Sequence, residues 1–131
     1  MSAFTTSMDN TPGQLARVCE VLGARGVNLV VCGLGHGTTG TIAFIADDEA
    51  ATRSALRDAD IDYAENEALT VRMQNVPGAG AQVFRKLADA GVNLNVFLPV
   101  QIFDDQFYAV ICPSDIEAAR KALGDQIVAG P

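Results

Sequence analysis

Apolar residues recur along this chain with two alternating periods. Phe4 to Met8 is short, rich in β-branched residues and ends on a turn signal, which predicts a strand. From Gln14 to Ala24, Leu15, Val18, Cys19 and Leu22 fall at i, i+3, i+4 and i+7, one face of a helix that Gly26 stops. "VNLVV" (27–31) then predicts a strand, "GLGHGTTG" (33–40) a glycine-rich turn and "TIAFIA" (41–46) a returning strand. Asp47 and Asp48 can cap a helix over Glu49–Arg57, whose acids lie early, where the macrodipole favours them. A short strand around Asp62–Ala64 closes the unit, in the order β-α-β-β-α-β.

The order then repeats. It predicts a strand over Leu69–Met73, a helix over Ala81–Ala90, a strand over Val92–Leu98, a turn near Asp104 and Asp105, a strand over Phe107–Ile111, a helix over Ser114–Leu123 and a last strand near Ile127. Gly80, Val83, Phe84 and Leu87 take the helix face used by the first copy. Asn10 aligns with Asn75, Pro12 with Pro77, Gly13 with Gly78, Val18 with Val83 and Leu22 with Leu87, always 65 residues apart, and "GVNL" occurs at 26–29 and 91–94. Arg53 and Arg120 are 67 apart, as are Leu56 and Leu123, so the second copy carries two inserted residues, which hairpin loops usually absorb.

An internal repeat decides architecture. It divides the chain into domains 1–66 and 67–131. Each is about 65 residues, a size at which a lone core is marginal, so the halves are expected to share an interface or form a larger oligomer. The order is the split β-α-β, ferredoxin-like arrangement of the α+β class, with helices on one face of an antiparallel sheet. The strand between the first helix and the hairpin is an edge strand. There Pro99 is tolerated, and an uncovered edge invites pairing with another sheet.

Composition narrows the partners. A formal charge of −7 repels polyphosphate, which speaks against nucleic acid and anionic membranes. Cys19, Cys32 and Cys112 form no metal-ligand spacing and are expected to be small core residues. The first ten residues lack the basic start and apolar core of a signal peptide. No apolar stretch approaches the roughly 20 residues that span a bilayer. The expectation is a soluble cytoplasmic protein.

Candidate chemistry is sparse. Gly35, Gly37 and Gly40 satisfy G-x-G-x-x-G, but a dinucleotide site needs a helix next, and a strand follows here. His36 has no second histidine or cysteine nearby to complete a metal site. Asp104 and Asp105 are read as a turn rather than a catalytic pair. With one histidine and no serine or cysteine partnered to it, no catalytic residue, metal or cofactor is expected.

"DNTPGQLARV" (9–18) and "QNVPGAGAQV" (74–83) carry the binding chemistry. Proline suits the first turn of a helix. A helix N-terminus offers unpaired N–H groups that favour an anion, and Gly13 and Gly78 let a ligand approach that backbone. Asn10, Asn75, Asn28 and Asn93 each hold donors and an acceptor, which suits a zwitterion. Taken singly, Asn10 could cap its helix and Asn28 could bond a loop. Their joint recurrence in both copies favours binding.

"DNTPGQLARVCEVLGARGVNL" and "NVPGAGAQVFRKLADAGVNL" resemble the ACT domain, a small regulatory module that senses amino acids in enzymes of amino-acid metabolism. The resemblance spans nearly the whole chain as two tandem units. It implies two units side by side in a joint antiparallel sheet, helices on one face. One ligand site would join Asn10, Thr11, Pro12 and Gly13 to Asn93, and its twin Asn75, Val76, Pro77 and Gly78 to Asn28. Asp9 becomes Gln74, Thr11 becomes Val76 and Leu15 becomes Gly80, so the two sites cannot be equivalent. Met8 and Met73 stand where serine-sensing relatives place a polar residue. The function implied is a non-catalytic sensor of a small free amino acid, a homodimer with an enzyme of amino-acid metabolism as its partner. A ligand-free assembly module, serving as a regulatory subunit, is the alternative. An enzyme on a ferredoxin-like scaffold is the third.

Overall fold

The computed structural model describes residues 1–129, so positions 130–131 of the expected second domain lie outside the described residues. The chain resolves into two compact units, one of Ser2–Asn66 and one of Glu67 onward together with Met1. In chain order the elements are β1 (Ser2–Asp9), α1 (Gln14–Gly23), β2 (Leu29–His36), β3 (Thr39–Ala46), α2 (Glu49–Asp58) and β4 (Ala64–Glu67). They continue as β5 (Leu69–Gln74), α3 (Ala79–Asp89), β6 (Leu94–Phe103), β7 (Gln106–Pro113), α4 (Ile116–Leu123), a 3₁₀ turn (Gly124–Gln126) and β8 (Ile127–Val128). Two four-stranded antiparallel sheets result, in the orders β2-β3-β1-β4 and β6-β7-β5-β8. Each unit therefore has the ferredoxin-like βαββαβ order that the hydrophobic pattern predicts.

The glycine-rich stretch is mostly strand, not turn. β2 continues to His36, and only Gly37 and Thr38 remain between it and β3. Gly35 is a glycine because the Asn10 side chain lies on it: a Cβ there would meet Asn10 Oδ1 at 2.8 Å. Local composition signals a turn, but the cause is a close approach from a residue far away in sequence.

The two extra residues of the second copy also lie elsewhere than expected. Both hairpins have two-residue turns opened by a left-handed residue, Gly37 at φ 60° and Asp104 at φ 53°. β2 pairs one-to-one with β3, from Leu29 opposite Ala46 to His36 opposite Thr39. β6 does not: the register slips between Leu94 and Val96 and again between Pro99 and Gln101. Asn95 and Val100 are thus the inserted residues, each absorbed as a β-bulge on an edge strand, where bulges concentrate. Between the bulges the faces are exchanged, so Phe97 turns to the core. Pro99 lies on this edge strand, as its missing N–H requires.

The amphipathic stripes of α1 and α3 divide. Val18 and Leu22, like Val83 and Leu87, are buried against their sheets. Leu15, one turn before Val18, and Phe84, which follows Val83, remain 46% and 40% exposed. In the first unit the stripe meets Phe4, Ile42, Phe44 and Leu56; in the second it meets Val71, Ala109, Ile111 and Leu123. Of the three cysteines only Cys112 is buried, and burial pushes its thiol up to about 11, so it stays protonated and inert. Cys32 is exposed, contrary to the expected core role, because edge strand β2 is covered on few positions.

α2 is tied to β4 by an ion pair. Arg53 donates to both carboxylate oxygens of Glu65 and to Glu49, and its guanidinium sits 5.9 Å from the Phe4 ring centroid. The Arg53 guanidinium, with help from Ser2, lowers Glu65 from its ordinary 4.5 to about 2. A folded-state value below the unfolded one gives stability that is complete above about pH 4.5 and is lost as pH falls towards 2. Glu65→Gln is therefore expected to flatten stability against pH in that window, measured by urea unfolding at steps from pH 6 to 2. An unchanged slope would rule the ion pair out.

Candidate functional site

The two Pro-Gly turns have one geometry. Gln14 N–H donates to Thr11 O at 3.4 Å and Ala79 N–H to Val76 O at 3.3 Å, each closing a four-residue turn. Gly13 at φ 93°, ψ −12° and Gly78 at φ 86°, ψ −9° hold the third position of a type II turn, with proline at the second. Pro12 and Pro77 therefore precede the helices rather than occupying their first turns. Left-handed backbone by itself accounts for Gly13 and Gly78.

What caps each helix separates two classes. α2 and α4 are capped by their own carboxylates: Asp48 accepts from Ala51 N–H and Asp115 from Ala118 N–H, both at 2.9 Å. α1 and α3 have glycine at the cap and no side-chain cap hydrogen bond. Arg17 and Gln82 donate back to Gly13 O and Gly78 O, which leaves the N–H groups of Leu15 and Ala16, and of Gly80 and Ala81, without a capping side chain. Their positive ends are open to an anion.

Each uncapped end borders a groove within its own unit. The first, about 310 Å³, is lined by Met8, Asp9, Asn10, Thr11, Gln14 and Leu15 on one side and by Gly33, Leu34, Gly35 and Thr41 on the other. The second, about 220 Å³, is lined by Met73, Gln74, Asn75, Val76, Ala79, Gly80, Phe84, Phe97 and Phe107. Thus Asn10 and Thr11 lie in one groove and Asn75 and Val76 in the other. Asn10 does not cap α1. Its Nδ2 donates to Gly37 O at 3.0 Å and its N–H to Thr38 O, so it fastens the turn to the tip of the β2–β3 hairpin. Asn75 N–H donates to Asp105 O at 2.7 Å, the matching contact in the second unit.

Asn28 and Asn93 lie at the other end of their edge strands. Asn28 N–H donates to Asp47 Oδ1 while Asn28 O accepts from Asp47 N–H; Asn93 exchanges the matching pair with Ser114. These contacts use the backbone, and both residues are exposed. Within a unit the structure does not bring Asn10 to Asn28 or Asn75 to Asn93. Sequence reasoning missed Leu34 and the three phenylalanines as groove residues. The signal was available: Leu15 to Gly80 and Cys19 to Phe84 are the places where the repeat diverges on the helix stripe.

His36 lines neither groove. Among the described residues no three His, Cys, Asp or Glu side chains are placed to hold a metal, and no helix is long and apolar enough to cross a membrane.

Solved structures share this architecture over nearly the full chain. A protein from Bacteroides thetaiotaomicron matches with a TM-score of 0.83 and 24% identity, covering 97% of this chain and 90% of that one. The ligand-free regulatory subunit of aspartate kinase from Thermus thermophilus matches with a TM-score of 0.70 and 18% identity, covering 95% and 91%. The fold is that of a tandem ACT protein. The aspartate kinase of Clostridium acetobutylicum, at 15% identity and a TM-score of 0.61, shares the tandem ACT fold over 93% of this chain but only 32% of its own. Comparison with protein-family models finds none that matches, and comparison with curated proteins finds no relative.

Proposed function

We propose that this tandem ACT chain, with domains 1–66 and 67–131, is a non-catalytic regulatory protein of the cytoplasm that senses a free amino acid. The ligand's carboxylate meets the uncapped start of α1 or α3. An asparagine at the start of an edge strand of a second ACT unit completes the site: Asn93 for the turn of Asn10–Gly13, Asn28 for the turn of Asn75–Gly78. The chain works as a homodimer, and an enzyme of amino-acid metabolism reads the ligand-induced shift in population. The observation that carries the reading is the contrast in capping: Asp48 and Asp115 close α2 and α4, while the two helices bordering grooves are left open.

Thermal melts with each of the twenty amino acids, followed by calorimetry, test this. A ligand at a hundred times its Kd stabilises by about 2.7 kcal/mol. Asn10→Ala or Asn93→Ala is expected to weaken binding about tenfold or more, as the loss of a hydrogen bond to a charged group does, while His36→Ala leaves it unchanged. A flat response to all twenty would leave the assembly role. The likeness to a regulatory subunit of aspartate kinase supports the part of that second reading in which the chain docks on an enzyme.

A further inference from the structure

The groove of the second unit differs from its counterpart at several matched positions, and four of these shape its wall and floor. Gly80 stands where the first unit has Leu15, Phe84 for Cys19, Phe97 for Val31 and Phe107 for Gly40. Three phenylalanines thus replace small or aliphatic residues, and the apolar side chain that Leu15 contributes in the first turn of α1 is absent from α3. The rings form a wall rather than a closed core. Phe84 meets Phe97 edge-on at 5.1 Å, Phe97 lies parallel to Phe107 at 6.4 Å, and Phe84 is 40% exposed. Met73 and Val76 complete the apolar lining, and Val76 is 53% exposed.

Gly80 has ordinary helical backbone, so no turn demands a glycine there. A Cβ at Gly80 would meet only the Phe84 ring, at an unstrained 3.5 Å. Its absence keeps open the floor of the groove beneath the aromatic wall. We infer that this groove selects the side chain of the ligand, and that it takes a neutral amino acid with an aromatic ring, for which Gly80 is the specificity-determining residue. A ring entering over Gly80 reaches the Phe84–Phe97 pair in the edge-on or offset geometry that aromatic groups favour. Among the described residues the polar side chains that line the groove, Gln74 and Asn75, are uncharged, and the first N–H groups of α3 have no capping side chain. They match the charged ends of an amino acid and offer nothing to a charged side chain. The first groove, with Asp9, Gln14 and Thr41, lacks this wall.

The inference rests on the amino-acid-sensing reading and departs from the small side chain expected from sequence. Its test titrates L-phenylalanine, L-serine and glycine into the wild-type chain and into Gly80→Leu, which restores the leucine of the first copy. Calorimetry and melting temperature are both read. L-phenylalanine is expected to bind at least about tenfold tighter than serine or glycine. Gly80→Leu is expected to remove that preference while raising Tm, because a helix former replaces glycine. Loss of binding in a more stable protein separates a blocked groove from a damaged fold. If serine or glycine binds as tightly as phenylalanine, or Gly80→Leu keeps phenylalanine affinity, the aromatic assignment is overturned and the sensing reading stands. If none of the twenty amino acids binds, both are overturned. Should Gly80→Leu not fold, Phe84→Leu takes its place, with about a tenfold loss for phenylalanine expected and an unchanged affinity counting against the proposal.

Discussion

Phe44→Ala is expected to lower the unfolding free energy by about 3–5 kcal/mol, the range for a large aromatic removed from a core that cannot collapse around the gap. Phe44 is fully buried in the middle of β3 and stacks on Phe4 at 5.4 Å, whose other side meets Tyr63 at 5.8 Å. Three rings and Leu22, Leu56 and Ile42 make up most of the bulk of this core. Total stabilities are only about 5–15 kcal/mol, so one such cavity in a unit of this size consumes a large share. Urea unfolding checks it: the midpoint should fall with the m-value unchanged. A loss below about 1 kcal/mol would mean that the first unit's core is not organised around these rings.

Gly78 and Gly80, two residues apart, are expected to respond to alanine with opposite signs. At φ 86° Gly78 holds the left-handed position of its turn, where a side chain carries strain of about 1–3 kcal/mol, so Gly78→Ala destabilises. Gly80 lies in the helix, where alanine is better than glycine by about 1 kcal/mol, so Gly80→Ala stabilises. Melting temperatures of the two variants decide the matter. Two changes of the same sign would mean that turn and helix do not meet at Gly78 as described. Gly13→Ala should repeat the loss, since Gly13 has the same role at φ 93°.

Much of the fold is legible in the sequence because it rests on local rules. The helix stripes, the stops at Gly26 and Gly91, the acidic cap of α2 and the edge placement of Pro99 each follow from a few neighbouring residues. What is hidden depends on register between strands. The 65-to-67 change of spacing reveals that two residues are added but not where, because a bulge has no composition of its own, and Asn95 and Val100 look like ordinary strand residues. Likewise Gly35 reads as a turn glycine until Asn10 is seen lying across it.

The site is legible to the same depth. The Pro-Gly turns and their asparagines can be read from spacing, but the groove walls cannot. Leu15 and Val18 look equivalent on a helical wheel, and only the docking of α1 on its sheet buries one and leaves the other bordering a groove. Spacing offers the Asn10 side chain as a cap or a ligand contact, whereas its hairpin bonds to Gly37 and Thr38 are a third use.

The buckled outer strand of the second unit has a consequence for how a duplicated chain avoids folding onto itself wrongly. Two near-copies joined in tandem offer each hairpin arm a look-alike partner, and repeat proteins are prone to trade such arms while folding. Here the two arms differ in length for the same partner: β6 sets ten residues against the eight of β7 while β2 matches β3 one-to-one, so β6 laid on β3 must buckle at the same two places, or else slip by a place and turn its side chains to the other face. Asn95 and Val100 thereby cut the second arm differently from its twin.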